Sequence, residues 1–149
     1  MMLVKFNPAH LNYFSIQKEQ GYMSGLMEDE SYQELMVSNG AMSIVSGGRV
    51  LLIGGVLAKT TTTGEAWSVL SCEIGREFVT VSRIVHDFLM QSGYIRMETA
   101  VRRDYVKGHR WAKLLGFVNE TPSSGMRYYG LNLQTYDMYA LYNVGAIKQ

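Results

Sequence analysis

The sequence predicts an α/β (α+β) domain whose mixed, mostly antiparallel central sheet contains one β-α-β crossover and carries helices on both faces. Three observations carry this. First, two β-type runs, Ala41–Ser46 and Arg49–Ala58, flank Gly47-Gly48. A glycine pair there signals a hairpin, because tight primed turns need positive φ at both central positions. Second, Val81, Ile84, Val85, Phe88 and Leu89 fall at i, i+3, i+4, i+7 and i+8, the single apolar stripe of a helix. Third, that helix lies between two strand-like runs, Glu65–Glu73 and Tyr94–Val101. A strand–helix–strand unit brings its strands together in parallel through a right-handed crossover.

The elements follow in order. Leu3–Phe6 reads as a short strand. Asn7-Pro8 starts a helix, since Asn caps and Pro suits the first helical position, and the helix is expected to run from Pro8 to about Gln20 and stop at Gly21. A second helix is expected from Gly25 to Val37, with Glu28, Asp29 and Glu30 favouring its N-terminus. Asn39-Gly40 breaks it, and the hairpin follows. After the polar loop Lys59–Gly64, Glu65–Glu73 is the third strand of a meander, with Trp67, Val69 and Leu70 inside. The striped helix stops at Gly93. Tyr94–Val101 is a strand with Ile95, Met97, Thr99 and Val101 on one side. Asp104 is placed to cap a helix running to Leu115, which Gly116 ends. Phe117–Glu120 and Arg127–Leu133 read as two closing strands around the turn-rich Thr121–Gly125. Tyr136–Tyr142 has no clear pattern.

The chain of 149 residues is the size of one domain, expected over residues 1–149. At 47% hydrophobic it can build a core without disulfide staples, and its one cysteine, Cys72, can form none internally. A net charge of +1 gives no global field for nucleic acid or an anionic membrane. No run approaches the roughly 18 apolar residues of a membrane span. The opening Met1–Phe6 lacks the long apolar core of a signal peptide, so a cytoplasmic protein is expected. Three dispersed histidines offer no metal cluster.

The element order and the stretch Val101–Phe117, VRRDYVKGHRWAKLLGF, resemble the GNAT superfamily of acyl-CoA-dependent N-acyltransferases. A strand, a polar turn and a helix ending in Leu-Gly-Phe are similar to that superfamily's second CoA-side motif. Over Glu65–Asp137 the blocks EAWSVLS, TVSRIV, RMETAV, GHRWAKLLGF and MRYYG resemble a group of small GNAT-like proteins of tailed phages and prophages. The resemblance implies a phage origin, a place in the host-cell cytoplasm or packaged in a virion, acetyl-CoA as cofactor, and an amine-bearing small molecule or protein as acceptor. A phage or host protein partner, or a homodimer, is compatible with it. The alternative it leaves open is a catalytically inactive virion-associated or host-interaction protein on the same scaffold.

The resemblance also implies where the chemistry belongs. The CoA pyrophosphate would sit on backbone N–H groups at the helix start, here Ile74, Gly75, Arg76, Glu77, Phe78 and Val79. This stretch keeps Gly75 and Arg76 but lacks the family's second glycine, and Glu73 and Glu77 add negative charge. A general base would be Glu73 or Glu98, and the other reading for each is an ordinary ion pair with Arg76 or Arg96. The family's acid tyrosine falls on Ala112, so Tyr105 or His109 would substitute, sharing a helix face with Lys113. A solvated surface residue is the other reading of His109. Arg102, Arg103, Lys107, His109, Arg110 and Lys113 form a basic cluster that suits CoA phosphates, a solvated face or an interaction patch.

Overall fold

In the computed structural model, which describes residues 1–147, the strands form one eight-stranded sheet of order β1 (Met2–Lys5), β2 (Met42–Ser46), β3 (Arg49–Ala58), β4 (Thr63–Leu70), β5 (Arg96–Arg102), β8 (Gln134–Tyr142), β6 (Val118–Asn119), with β7 (Met126–Tyr129) pairing on β8. The pairs β1–β2, β2–β3, β5–β8, β6–β8 and β7–β8 are antiparallel and β4–β5 is parallel. This is the expected mixed, mostly antiparallel sheet with one crossover. The chain, expected to be one domain, divides into two compact units: Met1–Leu57 with Trp67–Ile84, and Ala58–Ala66 with the chain from Val85 on.

The first unit holds β1 (Met2–Lys5), α1 (Ser24–Met27), α2 (Glu30–Ser38), β2 (Met42–Ser46), nearly all of β3 (Arg49–Ala58), the later half of β4 (Thr63–Leu70) and the start of α3 (Phe78–Met90). Gly47 and Gly48 have φ of 54° and 76°, the double positive φ that the hairpin needed. The core gathers Phe6, Met27, Met36, Val50, Ile53 and Val69. Gly54 lets β3 pass tightly over Trp67: a Cβ there would stand 2.5 Å from the Trp67 carbonyl oxygen.

Two expectations for the N-terminal region change. The helix expected over Pro8–Gln20 is instead two 3-10 turns, Pro8–Tyr13 and Lys18–Met23. The start signal is real, because the Asn7 side chain accepts the Ala9 N–H and His10 reaches back to the Asn7 N–H. The helix does not continue because Ile16 makes an antiparallel bridge with Ser71. The helix expected over Gly25–Val37 is split, and Asp29 caps its longer part by accepting the Tyr32 N–H at 3.2 Å.

The second unit holds the start of β4, β5 (Arg96–Arg102), α4 (Val106–Leu114), β6 (Val118–Asn119), β7 (Met126–Tyr129) and β8 (Gln134–Tyr142). The parallel ladder has three partner pairs, Thr63↔Arg96, Gly64↔Met97 and Glu65↔Glu98. Strand β5 continues to Arg102 and stays paired with β8 over its whole length. The unassigned Tyr136–Tyr142 is thus an interior strand, β8, with Tyr139 fully buried. Arg127–Leu133 is shorter than expected as a strand, ending at Tyr129. Asp104 does not cap α4: the residue at that position is Tyr105, and the Asp104 carboxylate pairs with Arg102 at 2.5 Å. Gly116, at φ 96°, closes α4 as expected and returns Phe117 to the core.

Candidate functional site

The turn expected to bind an anion lies between β4 and α3. Gly75 has a φ of 48°, a conformation that favours glycine, and nothing lies within 4 Å of where its Cβ would be. A 3-10 turn, Gly75–Glu77, leads directly into the 13-residue α3. Within the turn the N–H groups of Ile74, Glu77 and Phe78 donate to the carbonyls of Ser71, Ile74 and Gly75. Ile74, expected to offer its N–H outward, is buried, and Phe78 is half-buried. Gly75, Arg76 and Val79 are exposed.

Charge in this turn is rearranged relative to the expectation. Glu77 does not stand free against an anion: Arg49 holds its carboxylate at 2.7 Å and the Ser46 hydroxyl donates to it at 3.1 Å. Arg49 also donates to the Glu73 carbonyl at 3.3 Å. The Glu73 carboxylate is exposed and makes no ion pair with Arg76 among the described residues. Arg76 is therefore an exposed cation at the positive end of α3, an arrangement that suits a phosphate.

The edge of β4 beside this turn is occupied by the chain itself. Ser71 donates its N–H to Leu51 of β3, whereas Leu70 and Cys72, alternating with it, direct theirs away from β3. The segment Ser15–Gln20 takes those groups. Gln17 N–H donates to the Leu70 carbonyl at 2.9 Å and Cys72 N–H to the Ser15 carbonyl at 2.8 Å. The Gln20 side chain accepts the Leu70 N–H at 2.9 Å and donates to the Ser68 carbonyl at 3.0 Å. Sequence reasoning missed these glutamines, because a side-chain amide imitating a strand has no spacing signature.

Glu98 forms its ion-pair alternative. Lys59 reaches one carboxylate oxygen at 2.6 Å and Arg96 the other at 2.7 Å. The hydrogen bonds from Lys59 and then Arg96 hold the Glu98 carboxyl below its usual range, which makes it a weaker base. Arg96 also binds Glu120 bidentately, at 2.9 and 2.6 Å, and Tyr142 donates to the same carboxylate. Arg96 and Tyr142 depress the Glu120 carboxyl to about 2.

On α4, Tyr105 is half-buried, and its ring lies against Gly108, where a Cβ would approach it to 2.6 Å. His109 is not a solvated surface residue. Its Nε2 lies 3.0 Å from the carbonyls of both Arg102 and Arg103, and its Nδ1 lies 2.7 Å from the Tyr139 hydroxyl. Carbonyls only accept, so Nε2 carries the proton and Nδ1 accepts from Tyr139. Of the basic cluster, Arg102 pairs with Asp104 and Arg103 with buried Asp137, while Lys107, Arg110 and Lys113 are exposed. The Arg103–Asp137 pair, with Thr121 also donating to Asp137, was not expected from sequence. Among the described residues there is no group of three or more His, Cys, Asp or Glu that could hold a metal ion, and no helix is long and apolar enough to cross a membrane.

Neither a protein-family model nor a curated protein matches the sequence. Solved structures do match in three dimensions. Spermidine N-acetyltransferase from Vibrio cholerae, in a dodecameric structure, superposes with a TM-score of 0.67 at 12% identity, covering 99% of this chain and 96% of that one. A SpeG variant of the same enzyme gives 0.67 at 10% identity over 99% and 98%. Ard1 from Thermoplasma volcanium gives 0.69 at 16% identity over 95% and 96%. Over nearly its whole length, then, this chain has the fold of these acetyltransferases.

Proposed function

We propose that this protein is an N-acetyltransferase that uses acetyl-CoA to acylate an amine. The observation that carries the reading is the three-dimensional likeness to acetyltransferases over 95–99% of the chain. The turn from Ile74 to Val79 supports it: an outward-facing Gly75, a neutralised Glu77 and a free Arg76 at the start of α3 suit a pyrophosphate. When bound, acetyl-CoA would supply the acetyl thioester. The chain's own share is to hold the phosphates on that turn, with Arg76 as counter-charge, and to take the acceptor's proton on the exposed carboxylate of Glu73. Glu98 and His109 belong to structural pairings, and Tyr105, just before α4, is the acid of this reading. The acceptor is a small amine, in keeping with the spermidine enzyme among the structural relatives, and assembly into at least a dimer fits the same comparison. The five sequence blocks of Glu65–Asp137 support a phage origin and action in the host cytoplasm.

The experiment is a thiol-release assay with acetyl-CoA and a panel of polyamines and amino-terminal peptides, beside calorimetry with acetyl-CoA alone. Turnover that falls about tenfold or more in Arg76→Ala, with a raised KM for acetyl-CoA, supports the reading. No heat of binding at millimolar acetyl-CoA would sink it.

A second reading, a binding protein on the same scaffold that has lost catalysis, is favoured by one observation: the edge of β4 beside the turn is filled by Ser15–Gln20. Detection of the polypeptide in purified virions, together with absence of turnover, would select it.

A further inference from the structure

We infer that Ser15–Gln20 is a removable strap, an internal strand mimic that closes the edge of β4 and must lift before any extended amide-bearing chain can pair there. An open strand edge recognises such chains through its main-chain groups. Over Ser68–Cys72 the strap takes the Ser68 and Leu70 carbonyls and the Leu70 and Cys72 N–H groups, through the backbone of Ser15 and Gln17 and the side chain of Gln20. The Gln17 side chain adds a 3.4 Å bond to the Ser71 carbonyl.

Three features mark the strap as separable from the sheet. Neither flanking 3-10 turn contains a buried residue. The polar grip on β4 is made of hydrogen bonds, each of which water can replace, and Ile16, the strap's residue packed against the core, is only partly buried. Gly21 and Gly25 follow the strap with nothing within 4 Å of their Cβ positions, so the backbone there has room to swing. The proposal rests on the acyl-CoA reading for its ligand, because the pantetheine arm is an extended chain carrying two amides. The edge cannot hold the strap and such a chain at once. Apparent affinity is therefore lowered by the fraction of molecules with the strap closed.

Hydrogen exchange on the whole protein tests the strap without any ligand. Ser71 is the internal reference, since its N–H bonds across to β3 while those of Leu70 and Cys72 bond to the strap. Leu70 and Cys72 should exchange at least tenfold faster than Ser71. Equal rates at all three would overturn the proposal.

A covalent lock tests the gate. Ser15 and Cys72 face each other in the antiparallel bridge region, where paired Cα atoms lie about 5.5 Å apart, within the roughly 4.4–6.8 Å that a disulfide spans. Ser15→Cys should bind acetyl-CoA when reduced and lose binding when oxidised. Gln20→Ala, which needs no lock, should bind acetyl-CoA about fivefold more tightly than the parent. Equal binding by the oxidised and reduced forms, or no gain in Gln20→Ala, would overturn the gate while leaving the acetyltransferase reading standing. If no form binds acetyl-CoA, that reading falls, and the exchange rates of Leu70 and Cys72 against Ser71 decide the strap alone.

Discussion

Gln20 holds Leu70 as a neighbouring strand would, its Oε1 accepting the Leu70 N–H at 2.9 Å while its Nε2 donates to the carbonyl of Ser68. A side chain has replaced a backbone. A side chain distant in sequence thus helps close the end of β4, beside the backbone bonds of Ser15 and Gln17.

Gln20→Ala should lower stability by about 1–2 kcal/mol in urea unfolding, the cost of two partly buried hydrogen bonds. Gln20→Glu is a sharper probe. It keeps the acceptor for Leu70 but sets a carboxylate oxygen against the Ser68 carbonyl. It should destabilise at least as much as alanine at neutral pH and recover as the carboxyl protonates and regains a donor. A variant as stable as the parent at pH 7 would contradict this account.

Gly108→Ala should destabilise, although alanine normally favours a helix interior by up to about 1 kcal/mol. The new Cβ would meet the Tyr105 ring at 2.6 Å and a Val101 methyl at 2.9 Å. The expected loss is about 1–3 kcal/mol, the usual cost of overpacking. Thermal unfolding of the double variant Gly108→Ala/Tyr105→Ala gives the check, because removing the ring relieves the main clash and should return part of the loss.

Tyr139→Phe should cost about 1–3 kcal/mol, because it strips the donor from His109 Nδ1 at a fully buried position. The same loss in a His109→Phe background should be smaller, since the partner is already gone. A double-mutant cycle by urea unfolding measures this coupling, and additive losses would refute the His109–Tyr139 hydrogen bond.

Glu120 sets a pH dependence. Its carboxyl is depressed to about 2 in the folded protein, chiefly by the hydrogen bond from Arg96 and then by that from Tyr142. A depressed folded value means that the contribution is complete above the unfolded value of about 4.3 and is lost as pH falls toward 2. Glu98, lowered by Lys59 and Arg96, acts with the same sign. The urea midpoint of the parent should therefore fall between about pH 4.5 and 2. Glu120→Gln should flatten part of that fall, leaving the share due to Glu98.

Much of the sheet was legible because local rules govern it. Gly47-Gly48 demanded a primed turn, the stripe from Val81 to Leu89 demanded a helix, and that helix between two strand-like runs required parallel strands, found as β4–β5. Strand β8 was not legible. Asp137 is a carboxylate in an interior strand, and Arg103, just past β5, together with the Thr121 hydroxyl makes its burial tolerable. The tyrosines around it suit core and surface equally, so alternation carried no signal.

For the site, the sequence by itself placed Gly75 and Arg76 at the start of the striped helix and determined the Leu-Gly-Phe closure of α4. Each depends on residues adjacent in the chain. Only the tertiary structure decided that Glu77 is neutralised by Arg49, that Glu98 and His109 are tied into pairings, and that Ser15–Gln20 lies on β4 rather than continuing a helix. The Asn7-Pro8 start could launch a helix, but no local rule weighs about two more helical turns against bonds to a strand some fifty residues away. That choice is made by unpaired backbone groups on β4, which exist only once the sheet has formed.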